Sequence, residues 1–114
     1  MALPTELRLK KLSDFEKLRT PKAVFPSGYL ILKCAEAGDG SKFGFAVSKR
    51  LAGSVLRNRI RRILSEWVRS NVEEFPDGYL WLIILRKLPE PMSVLSQTLR
   101  DDIQKLARKA SSEL

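Results

Sequence analysis

Between Lys49 and Arg62 the chain places Lys49, Arg50, Arg57, Arg59, Arg61 and Arg62 with no acidic residue among them. Arginine offers a planar fork of N–H donors that grips two phosphate oxygens at once and stacks on bases. A merely solvated surface would intersperse both signs of charge, so this composition points to a nucleic-acid backbone, bound with an affinity that falls steeply as salt rises. No other group of residues offers comparable chemistry. The absence of His removes the Ser-His and Cys-His nucleophile pairs, imidazole metal ligands and the commonest general base. Asp101 and Asp102 are neighbours on a predicted helix, about 100° apart around its axis, so they do not converge as a dyad and read as solvated helix surface. Gly38, Gly40 and Gly44 lead into a strand and not a helix N-terminus, which excludes a phosphate-cradling glycine loop. Trp67 and Trp81 fall within apolar patterns and read as core. Cys34, the only cysteine, reads as a small buried hydrophobe and excludes an internal disulfide.

The charge is local. Over 114 residues, 21 Lys plus Arg oppose 13 Asp plus Glu for a net charge of +8. Residues 42–69 hold eight cations and one anion, residues 1–33 seven and three, and residues 70–114 six and seven. With 44% apolar residues the chain amounts to one domain with a core of its own. No apolar signal stretch follows Met1, and the longest apolar run, Tyr79 to Leu85, is too short to cross a bilayer. The expectation is a soluble, cytoplasmic protein.

The elements that must position the basic cluster follow from periodicity. Ser13-Asp14-Phe15-Glu16 has the spacing of a capping box and predicts a short helix from Ser13 that ends before Pro21. Tyr29 to Ala35, the turn-rich Ala37-Gly38-Asp39-Gly40-Ser41, and Lys42 to Ser48 predict a β-hairpin. In its second strand Phe43, Phe45 and Val47 share one face, while Gly44, Ala46 and Ser48 leave the other open to close approach by a ligand or a covering helix. Ser54 to Arg69 predicts a four-turn helix with Leu56, Ile60, Ile63, Leu64 and Trp67 as its buried stripe. The opposite side then carries Arg57, Asn58, Arg61, Arg62, Ser65 and Arg69, with Arg59 at the stripe's far edge. Tyr79 to Leu85 reads as an interior strand. After the Pro89-Glu90-Pro91 break, Leu95, Leu99, Ile103 and Leu106 predict a last helix that is close to neutral.

Taken together, the run Phe43-Gly44-Phe45-Ala46-Val47-Ser48-Lys49-Arg50, the linker with Gly53, and Val55-Leu56-Arg57-Asn58-Arg59-Ile60-Arg61-Arg62 resemble the signature of the bacterial ribonuclease P protein subunit. Arg8-Leu9-Lys10-Lys11 followed by Asp14-Phe15 is similar to that family's N-terminal pattern. The resemblance covers roughly residues 7–109 and implies one domain over 1–114, with that stretch as its core. It implies an α+β fold, an α-β-β-β-α-β-α sandwich on a four-stranded sheet, with an extra strand near Ala23 to Phe25 and a left-handed crossover through the Arg-rich helix. It also implies a protein monomer within a ribonucleoprotein that removes the 5′ leader of precursor tRNA. In that arrangement the RNA subunit holds the catalytic Mg2+ and the protein supplies no catalytic residue. The positions carried over as RNA-binding are Lys49, Arg50, Arg57, Asn58, Arg59, Arg61 and Arg62. Those of the leader cleft are Phe15, Leu30, Leu32 and Ala46, with Arg19 standing where a second aromatic is expected and Leu32 where Tyr is common. Ser65 replaces a basic residue often seen one turn past Arg61. The rival reading is a structural RNA-binding protein of ribosomal type, and behind it a DNA-binding module.

Overall fold

An uninterrupted apolar run of seven residues belongs in the interior of a sheet. In the computed structural model, which describes residues 3–38 and 40–114, Tyr79–Leu85 is paired on both edges, fully covered on one face and partly covered on the other. The elements, in chain order, are α1 (Leu12–Lys17), β1 (Ala23–Pro26), β2 (Leu30–Glu36), β3 (Lys42–Ala46), α2 (Ser54–Ser70), β4 (Tyr79–Leu85) and α3 (Leu95–Glu113). This is the α-β-β-β-α-β-α order on a mixed four-stranded sheet, with strands arranged β1-β2-β4-β3. β4 runs antiparallel to β2 and parallel to β3.

That order corrects the predicted hairpin. β2 and β3 reverse direction through residues 37–41, but they do not pair, because β4 lies between them. The turn composition reports a reversal of the chain and not adjacency, and the most apolar strand takes the interior place. Asp39 of this turn lies outside the described residues. The true hairpin is β1–β2, joined by Ser27, Gly28 and Tyr29.

One face of the sheet carries the main core. Phe25, Leu30, Leu32, Cys34, Phe43, Trp81, Ile83 and Leu85 pack with Ile60, Ile63, Leu64 and Val68 of α2 and with Leu95, Leu99, Ile103 and Leu106 of α3. Each such side chain contributes roughly 1.5–3 kcal/mol by leaving water. Phe75, between α2 and β4, makes ring contacts with Phe43 at 5.1 Å, Trp81 at 5.4 Å and Trp67 at 6.0 Å, and so ties the helix exit to the sheet. The other face holds a smaller cluster of Leu9, Leu18, Ala35 and Leu80.

Three local expectations change. α1 begins at Leu12 with Lys11 in the capping position and no side-chain cap, so Ser13 lies inside the helix. Ser65 is buried and not exposed, its hydroxyl donating to the Arg62 carbonyl at 3.1 Å. α2 packs against α3 as well as the sheet, which widens its buried arc beyond a stripe against one surface. Asp102 is buried too, at 6% exposure. Its carboxylate accepts the backbone N–H groups of Tyr29 and Leu30, both at 3.0 Å, and the hydroxyl of Ser27. α3 thereby fastens the β1–β2 loop.

Candidate nucleic-acid interface

β3 ends at Ala46, and the chain turns sharply before α2. The Ser48 hydroxyl accepts the N–H of Arg50 at 3.1 Å, and the Ser48 carbonyl accepts those of Leu51 at 3.1 Å and Ala52 at 3.3 Å. Lys49 and Arg50 are pushed outward on this turn and are exposed. Ala52 is buried beneath it, and Gly53 starts the helix in an extended conformation with no side-chain cap and no acidic residue in the first turn.

Along α2 the basic residues divide. Asn58, Arg59 and Arg62 are exposed. Arg57 and Arg61 are half-buried on the flank: Arg57 Nη1 donates to the Ala52 carbonyl at 3.5 Å, and Arg61 Nη1 to Asn58 Oδ1 at 3.1 Å. Arg59 is therefore fully on the solvent face, while Arg57 and Arg61 take the flank. Val55, Asn58, Arg59, Arg61 and Arg62 surround a shallow depression of about 460 Å³. Among the described residues the recorded salt bridge is Lys22 to Glu36 at 3.2 Å, so the α2 cations are not neutralised within the protein.

The sheet's second face is only partly covered. Leu9, whose N–H donates to the Phe43 carbonyl at 2.9 Å, lies on Gly44, where an added Cβ would come within 2.8 Å of its Cδ2. Leu18 covers Ala35 and Leu80. This resolves the small-residue face of β3: at Gly44 the close approach is made by the protein itself. The row beyond is not sealed by either leucine. Ile31, Ile84 and Ala46 are register partners across β2, β4 and β3, and all three are half-exposed.

Leu30 and Leu32 are not on this surface. Both are fully buried in the main core, because the even-numbered residues of β2 face the helices. Ile31 and Lys33 occupy the opposite face. Lys33, the one charged residue before the strand's last position, marks the outward parity and is the signal that could have found it. Phe15 is 40% exposed on α1, and Arg19 is exposed just after that helix ends. Ala46 lies on the expected face.

The row Ile31–Ile84–Ala46 sits at the end of the sheet where the parallel strands β3 and β4 finish, next to the turn with Lys49 and Arg50. Two further cations follow β4 at that end. Arg86 Nη1 donates to the Ser27 carbonyl at 2.9 Å, and Lys87 Nζ stands 5.9 Å from the centre of the Tyr29 ring. They escape a reading by charge runs because they are only two, and it is the sheet that brings them to the same end as the basic turn, around a depression shared with Leu51. Among the described residues no three His, Cys, Asp or Glu side chains come together in a way that could hold a metal ion. None of the described helices is long and apolar enough to cross a membrane.

A basic turn and helix, free of acids from Lys49 to Arg62, beside an apolar strip on a half-covered sheet, give this α+β protein a surface whose charge suits a nucleic-acid backbone. Comparison with known proteins gives the family. The ribonuclease P family model matches residues 3–111. The chain is 36% identical over 104 residues to the ribonuclease P protein component of Chloroflexus aurantiacus, covering 90% of this chain and 76% of that one. With the protein component of Desulforamulus reducens it shares 39% over 80 residues, covering 69% and 71%. The fold superposes on the RNase P protein of Thermotoga maritima with a TM-score of 0.74, at 20% identity, over 90% of this chain and 96% of that one. A mutant of the Staphylococcus aureus protein gives 0.81 at 18% identity, over 93% and 89%. The chain belongs to the ribonuclease P protein family.

Proposed function

We propose that this chain serves as the protein subunit of ribonuclease P, docking on the catalytic RNA and holding the 5′ leader of precursor tRNA while the RNA cuts it. The observation that carries the reading is the contiguity of two surfaces at one end of the sheet. Lys49 and Arg50 on the turn, with Arg57, Asn58, Arg59, Arg61 and Arg62 on α2, meet phosphates of the RNA subunit and of the nearby leader. The strip of Ile31, Ile84 and Ala46, with Phe15 on α1, receives leader bases by apolar contact, and Arg19 supplies charge to the leader backbone where a stacking ring is absent. Mg2+ belongs to the RNA subunit and supplies the hydrolytic chemistry there. The chain's lack of His accords with a role in binding and positioning only. One protein monomer per ribonucleoprotein, in the cytoplasm, completes the proposal.

Reconstitution tests it. The protein is mixed with the ribonuclease P RNA of the same source, and cleavage of precursor tRNA is followed at low Mg2+ and low salt. The expected result is faster leader removal and tighter binding of substrates that keep their leader. A protein that binds the RNA yet leaves cleavage unaltered would favour a purely structural role and overturn the proposal.

A further inference from the structure

By composition the last helix is close to neutral; by structure its outer surface is not. Adjacent positions on a helix differ by about 100°, which turns Asp101 outward and Asp102 into the core. With Asp102 occupied by Ser27, Tyr29 and Leu30, the solvent face of α3 from residue 100 to 112 carries Arg100, Lys105, Arg108 and Lys109 against Asp101 alone. Asp101 is itself engaged, accepting from Gln97 Nε2 at 2.8 Å. The side chains of these four residues are exposed and make no hydrogen bond or ion pair among the described residues. On the helix they spread over roughly half the circumference and about 14 Å of its length.

α2 and α3 pack on the same face of the sheet and against each other. Their outward faces are therefore parts of one surface. A groove of about 340 Å³ lined by Glu66, Trp67, Arg69, Ser70, Asn71 and Arg100 joins them, with a guanidinium contributed by each helix. Glu66 lies within this surface, Glu73 and Glu74 bound it in the turn after α2, and Glu113 closes it at the end of α3. Between those limits cations prevail, and an RNA phosphate backbone is the partner of matching charge.

We propose that the outward face of α3, through Arg100, Lys105, Arg108 and Lys109, is a second RNA-contacting surface that grips a segment of the RNA subunit separate from the one met by the N-terminal half of α2. This rests on the reading of that RNA as the partner. The test compares three proteins for binding to ribonuclease P RNA across a range of monovalent salt: the natural chain, the quadruple variant R100Q/K105Q/R108Q/K109Q, and R59Q/R62Q. Glutamine keeps helix propensity at exposed positions, and thermal unfolding checks that each variant is folded. If the quadruple variant is not folded, K105Q/R108Q replaces it. The expected result is a log–log salt slope flatter by about 3 for the quadruple variant or about 2 for the pair, with an affinity loss of roughly tenfold or more at low salt. Nuclease protection should be lost at RNA positions different from those lost in R59Q/R62Q. A folded α3 variant with the natural slope and affinity, beside a weakened R59Q/R62Q, overturns the α3 surface and leaves the RNA-subunit reading intact. If neither variant changes binding, both fail.

Discussion

The backbone N–H of Tyr29 donates to the Asp102 carboxylate at 3.0 Å across 73 positions of sequence. The same oxygen takes the N–H of Leu30 and the hydroxyl of Ser27, so one α3 side chain satisfies the tip of the β1–β2 hairpin. Truncating it strands donors in a nearly dry site. Asp102→Ala should destabilise the protein by about 3 kcal/mol, and Asp102→Asn, which keeps an acceptor oxygen, by less. Urea unfolding of both variants measures the difference.

The outward α2 arginines are expected to carry binding without carrying stability. Arg59→Gln with Arg62→Gln should flatten the salt dependence of RNA binding by about 2 in log–log slope and leave the unfolding midpoint in place. Arg57→Gln should lower the midpoint slightly as well, because that guanidinium is half-buried against the Ala52 carbonyl. Thermal unfolding run beside a binding titration separates the two effects.

Leu32 and Ile31 are adjacent in the chain and opposite in fate. Leu32→Ala should cost about 2–5 kcal/mol through the cavity it opens in the core. Ile31→Ala should cost under about 1 kcal/mol, with its larger effect on affinity for precursor tRNA that retains its leader. The pattern is read by pairing chemical unfolding with a comparison of leader-bearing and mature tRNA.

Gly44 has no room for a methyl group. A Cβ there would lie 2.8 Å from Leu9 Cδ2 and 3.2 Å from Leu9 Cβ, so Gly44→Ala must displace the N-terminal segment. We expect a loss of about 1–3 kcal/mol, recovered in part when Leu9→Ala is added. A double-mutant cycle by urea unfolding reports the coupling.

Cys34 is buried, and desolvation raises its thiol above the ordinary value near 9. The folded protein should resist thiol reagents at pH 8 and react only on unfolding. The sign of the linkage follows: the neutral thiol's contribution to stability is complete below the unfolded-state value and is lost as pH rises through the higher folded one. Unfolding midpoints of the natural chain and Cys34→Ala, measured from pH 8 upward, should converge as the thiol ionises.

The helices were legible in the sequence because a 3.6-residue period is a property of neighbours: Ile60, Ile63 and Leu64 announce both α2 and its inner side. The interior place of Tyr79–Leu85 was legible for the same reason, as no polar residue interrupts it. What escaped depends on partners distant in sequence. Asp101 and Asp102 are the same residue type in the same helix; the helical period sets Asp102 on the stripe of Leu95, Leu99 and Leu106, but the Ser27, Tyr29 and Leu30 groups that satisfy a buried carboxylate there lie on a distant loop. β2, with Leu30, Ile31 and Leu32 in succession, has little alternation to set its parity, and the cleft positions implied by the resemblance, Leu30 and Leu32, fall one residue out of step with the open face. Arg86 and Lys87 reach the end of the sheet that carries the basic turn only because β3 and β4 run parallel.

The insertion of β4 between β2 and β3 bears on the order in which the protein is made. A nascent chain that has emerged only as far as Asn71 possesses both flanking strands and the whole basic helix, yet lacks the strand on which all three depend. Contacts so far apart in sequence form late. Until residues 79–85 are available to pair, the arginines of α2 have charge but no sheet to fix their bearing.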